Sequence, residues 1–152
     1  MLGLKKVFSQ QDEVLSVLSG IDEGLNEQMV AGLTGSARTL FLAAVYEQSK
    51  RPLLVTTHNL LQAQKLYDDL TQLLGEEQVF LYPANELIAA ELSISSPELK
   101  GQRIETLNHM MSANDGVMIV PMAGLKKILP PKELWSKLQL TLKVGDELTE
   151  QQ

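Results

Sequence analysis

Gly32-Leu33-Thr34-Gly35-Ser36-Ala37-Arg38-Thr39 is the stretch on which the fold turns. Ahead of it runs Gln28-Met29-Val30-Ala31-Gly32-Leu33, short and mostly apolar, as a buried strand would be. Behind it, Ala37 to Gln48 reads as a helix, with Leu40, Ala43, Ala44 and Tyr46 available for packing. A glycine-rich turn from strand to helix is where a phosphate-binding loop of the pattern G-x-x-x-x-G-K-[ST] belongs. Gly32 fills the first place of that pattern and Thr39 the last, but Ala37 stands at the second glycine and Arg38 at the lysine.

Both changes act against phosphate binding. Such a loop wraps backbone N–H groups around its ligand, so a Cβ at Ala37 intrudes where the backbone must come close. Were Ala37 also held at positive φ, alanine would add a cost on the order of 1 kcal/mol. Lysine sends a slim ammonium to the terminal phosphates, whereas arginine is a planar fork of different reach. Thr39 keeps a hydroxyl suited to magnesium, but a magnesium site without nucleotide phosphates is weak. The acidic partner is missing as well. The strand Val117–Val120 ends in Pro121, and no apolar strand ends in an Asp-Glu pair that could hold magnesium or orient water. Gly32, Thr34, Gly35, Ser36, Ala37, Arg38 and Thr39 are therefore the candidate site, read as an altered phosphate loop that is not expected to function. The plainer reading is a strand-to-helix connector that takes up an adventitious anion at the helix N-terminus, with Arg38 turned outward into an ion pair.

Working outward, Pro52 opens the strand Leu53–Thr57, whose continuous apolar start suits a sheet covered on both faces. Asn59 caps a helix to Leu74 that carries Leu60, Ala63, Leu66, Tyr67, Leu70 and Leu74 on one stripe, and Gly75 ends it. Val79–Tyr82 is a third strand, stopped by Pro83, and Ala84–Ser96 has no period and reads as an irregular excursion. Pro97, at a first helical position, starts a helix to about Met111. After the turn Asn114-Asp115-Gly116 comes the fourth apolar strand, Val117–Val120, then a short helix from Ala123 to Leu129 ended by Pro130-Pro131. One more helical turn surrounds Trp135, and Leu138, Leu140, Leu142 and Val144 alternate as in a half-buried strand. Upstream, Val7, Phe8, Val14, Leu15, Val17 and Leu18 fit two short helices with Ser9 as the N-cap between them, and Gly20 and Gly24 punctuate the connection. Strand then helix, four times over, predicts an α/β fold with a parallel, doubly wound sheet and helices on both faces.

The totals narrow the function. A length of 152 residues suits one domain with a fragment of a second, and 44% hydrophobic residues suffice for a core. With no cysteine, disulfides and thiolate metal sites are excluded. The net charge of −6 opposes nonspecific binding to nucleic acid, which needs lysine and arginine to displace counterions. No stretch approaches the roughly 20 apolar residues that span a bilayer. His58 follows a strand at the edge where open α/β sheets bind ligands, yet a lone histidine there is more often a surface or capping residue. His109 sits late in a helix, where a cation suits the dipole. Trp135 is a candidate interface anchor, although such a residue more often closes the edge of its own core. Asp68-Asp69 and Glu76-Glu77 read as solvated helix ends, and no nucleophile–base pair is recognisable.

The altered loop resembles the GVTGSGKT loop of the bacterial excinuclease subunit UvrB. Gly20-Ile21-Asp22-Glu23-Gly24-Leu25 with Gln28 resembles that family's approach to the loop, and Asn59, Ala63, Leu66 and Tyr67 fall where UvrB-like proteins carry a helicase-type motif. The version with Ala37 and Arg38 is similar to the N-terminal module of the Mfd family of transcription-repair coupling factors. So are Leu81-Tyr82-Pro83-Ala84-Asn85-Glu86, Ser96-Pro97-Glu98-Leu99-Lys100 with Gln102 and Arg103, and Leu129-Pro130-Pro131 with Trp135. UvrB-like proteins grip DNA with a long aromatic hairpin after the third strand. Here Ala84–Ser96 is short and holds no aromatic residue, as in the Mfd family.

That resemblance, which runs from about Gly20 to Gly145, implies a RecA-like domain near the start of a far longer protein. It divides the chain into an N-terminal helical segment (1–19), a UvrB-like domain (20–137) and the truncated start of a UvrA-binding domain (138–152). Family members displace stalled RNA polymerase with a separate ATP-driven motor and recruit nucleotide excision repair through UvrA. The expectation is thus a non-enzymatic scaffold without a cofactor, working in the bacterial cytoplasm. Its partners would be UvrA, mainly through the adjoining domain, and other domains of the parent protein, with RNA polymerase and DNA reached through that parent. Two alternatives stay open: a nucleotide-binding P-loop domain that tolerates the altered loop, and a weak single-stranded nucleic-acid binder around Asn59.

Overall fold

A computed structural model describes residues 8, 10–84, 97–113, 115–126 and 128–137. In chain order the elements are α1 (Asp12–Asp22), α2 (Ser36–Ser49), β1 (Leu53–Thr57), α3 (Leu60–Leu74), a 3-10 turn (Glu76–Gln78), β2 (Val79–Leu81), α4 (Pro97–Ser112), β3 (Val117–Pro121), α5 (Met122–Leu125) and α6 (Lys132–Lys137). The three strands form one parallel sheet in the order β1-β3-β2, with Leu53 opposite Val117, and Val79 opposite Val117 on the other side. This is the α/β architecture predicted above, with parallel strands joined through helices.

Strand alternation sorts the sheet into two faces. Leu53, Val55, Val79, Leu81, Val117 and Ile119 point to one face and pack with Ala43 of α2 and with Ala63, Leu66 and Leu70 of α3. The alanines Ala43 and Ala63 are fully buried, which lets both helices lie close to the strands. Fully burying an aliphatic side chain such as Leu70 or Ile119 is worth about 1.5–3 kcal/mol, so this cluster is the main stabilising unit. On the opposite face α4 lies against β2, where the buried Thr106 hydroxyl donates to Leu81 O at 2.8 Å. Cover is uneven there. Leu54, on the far side of the sheet from β2, is 58% exposed although its strand reads as buried on both faces. The reason is positional, since β1 and β2 sit on opposite sides of β3 and α4 packs chiefly on the β2 side.

A second cluster builds outward from α2. Val14 of α1 packs with Phe41, Ala44 and Val45, and with half-buried Phe8, Val17, Leu18, Ile21, Val30 and Leu33. The expected strand Gln28–Leu33 is not one: no strand assignment falls between residues 23 and 52. Its Val30 and Leu33 are held by helix side chains instead of a ladder, while Met29 stands 92% exposed. An apolar run buries itself equally well against helices, and nothing local to it supplies a pairing edge.

Several helix boundaries also shift. Gly20 lies inside α1, buried, and the chain leaves the helix only near Gly24 at φ +79°. Asn59 does cap α3, its Oδ1 accepting from Gln62 N at 2.8 Å, and Gly75 follows the last residue. The helix expected over Ala123–Leu129 is one turn, Met122–Leu125, and residues 128–131 carry no regular structure. Ser9, the excursion at 85–96 and the alternating run 138–144 lie outside the described residues.

Candidate functional site: the altered phosphate loop

The loop runs from the α1–α2 cluster to the first turn of α2 and meets the helix at Gly35. Its two glycines carry the unusual backbone: Gly32 has φ +80°, and Gly35 has φ +55° with ψ −129°. No heavy atom lies within 4 Å of a Cβ built at either position, so glycine is demanded by torsion and not by crowding. Thr34 O accepts the Ala37 N–H at 3.1 Å, which closes the turn and occupies a donor that a phosphate would use.

Ala37 is unstrained. Among the described residues Lys50 is the non-glycine residue with positive φ, so the left-handed cost conditionally assigned to Ala37 does not arise. The positive torsions fall on Gly32 and Gly35, both of which are glycine already. What Ala37 brings to the loop is its methyl group, half-buried in the first helical turn.

The electrostatics of the helix start are bare. Gly35 has no side chain with which to cap α2, and the first turn contains no acidic residue. Arg38 places a cation there, against the positive end of the helix dipole. It is exposed, and the ion pair suggested for it is not formed among the described residues. Ser36 and Thr34 are also exposed, whereas Thr39 is buried, at 5% exposure.

The neighbouring strand ends supply no chemistry. Thr57 Oγ1 donates to Asn59 O at 3.0 Å, and Asn59 is committed to its cap, with exposed His58 between them. β3 ends at buried Pro121 and runs straight into Met122, so no carboxylate follows it. Among the described residues no group of three or more His, Asp or Glu side chains converges to hold a metal ion. Two clefts lie away from the loop. One of about 360 Å³ is lined by Tyr46, Lys50, Arg51 and Asp115, and an apolar one of about 240 Å³ by Leu54, Phe80, Met110 and Met118.

Two other singled-out residues have definite places. Trp135 is half-buried, and its indole N–H donates to Asn108 Oδ1 at 2.9 Å, tying α6 to α4. His109 stacks on Phe80 with ring centroids 3.8 Å apart, and its Nε2 lies 3.0 Å from Asp115 Oδ1. Sequence reasoning credited His109 with the helix dipole alone. Its contact with Phe80, 29 positions away, has no local signal. No described helix is long and apolar enough to cross a membrane.

No family model matches the chain. The transcription-repair-coupling factor of Bacillus subtilis (strain 168) is 40% identical over 148 residues, which is 97% of this chain and 13% of that protein. The transcription-repair-coupling factors of Staphylococcus aureus strains USA300 and NCTC 8325 are each 41% identical over 125 residues, 82% of this chain and 11% of theirs. The chain thus spans about an eighth of the length of these relatives. Over nearly its whole length, this chain is homologous to one segment of the transcription-repair-coupling factors.

Proposed function

We propose that the chain is the N-terminal, UvrB-like module of such a coupling factor and that it serves as a non-hydrolytic scaffold. In this reading residues 1–19 are a helical lead-in, 20–137 the degenerate nucleotide domain, and 138–152 the start of the UvrA-binding domain. The whole protein works in the bacterial cytoplasm on stalled RNA polymerase and DNA, through a motor carried by another part of the chain. The module supports recruitment of UvrA and restrains that motor until polymerase is engaged. One observation carries the non-hydrolytic reading: a loop with the order and helix start of a phosphate loop has Ala37 N–H spent on Thr34 O and no carboxylate after β3.

The direct test is calorimetric titration of Mg-ATP into the chain and into an Ala37→Gly, Arg38→Lys double variant. No heat of binding in the native chain, with binding gained in the variant, is the expected outcome. Micromolar binding by the native chain would overturn it and make nucleotide sensing the better reading, a possibility that the unstrained backbone at Ala37 supports. For the restraint, the chain is added in trans to a coupling-factor motor lacking this region. ATPase activity should fall, and an unchanged rate counts against the idea.

A further inference from the structure

No further inference is drawn: the strongest candidate, the apolar groove of about 240 Å³ between the open sheet face at Leu54 and Met118 and the α4 residues His109 and Met110, is an unpartnered surface, and nothing in the structure shows what covers it.

Discussion

Gln28 lies directly over Gly20: its Nε2 donates to Val17 O at 3.0 Å, and its Cδ is 2.6 Å from where a Cβ on Gly20 would stand. The contact joins the middle of α1 to the segment that leads into the altered loop. Only a glycine lets the side chain lie flat across the helix. Eight positions of sequence separate the two residues, and a turn at Gly24 brings them together.

Gly20→Ala should therefore move a side chain without unfolding the domain. Alanine is about 1 kcal/mol better than glycine inside a helix, and the displaced group is the far end of an exposed, flexible glutamine. Against that gain stands one hydrogen bond, worth about 0.5–1.5 kcal/mol. Urea unfolding is expected to shift by less than about 1 kcal/mol, and Gly20→Ala combined with Gln28→Ala should be no less stable than Gln28→Ala alone. A loss of several kcal/mol in the single variant would mean that Gln28 is far more tightly held than its exposure implies.

The loop glycines should behave opposite to Ala37. Gly35, at φ +55° and ψ −129°, occupies a region nearly closed to other residues, so Gly35→Ala is expected to cost about 1–3 kcal/mol. Gly32→Ala, at φ +80°, should destabilise in the same direction. Ala37→Gly removes a good helix former from a first turn and should cost no more than about 1 kcal/mol. Chemical denaturation of the three variants side by side checks the order. If Ala37→Gly stabilised the domain, the methyl group would be under strain after all.

The chain has a single tryptophan, which makes the α4–α6 junction easy to watch. Asn108→Ala removes the acceptor of the Trp135 indole N–H and should cost about 0.5–1.5 kcal/mol. It should also shift the emission of Trp135 to longer wavelength as the ring gains water. Unchanged emission would show that packing against α4, and not the hydrogen bond, holds the indole.

Legibility followed the range of the interaction that shapes each element. β1, β2, β3 and α3 appear close to their expected limits, because apolar runs bounded by Pro52, Pro83 and Gly116, and the Asn59 cap, act within a few residues. Gln28–Leu33 misled for the complementary reason. An apolar hexapeptide looks the same whether a strand edge or a helix face buries it, and here Val14, Phe41 and Val45 are the buriers. The helix expected from Ala123 to Leu129 stops at Leu125, and Ile128 beyond it is 98% exposed, so no packing partner among the described residues extends the helix to the Pro130-Pro131 stop.

At the candidate site, the amino-acid order alone determined that the second glycine and the lysine of a phosphate loop are replaced and that no carboxylate follows β3. Those are matters of composition, and no folding can restore an absent group. Tertiary structure decided how the loop is used: Thr34 O takes the Ala37 N–H, positive φ falls on Gly32 and Gly35, and Arg38 stays in solvent at the start of α2. The exposure of Leu54 and the stacking of His109 on Phe80 were settled at the same level. Each depends on which elements meet across the sheet, and burial is a property of neighbours distant in sequence, which no local pattern encodes.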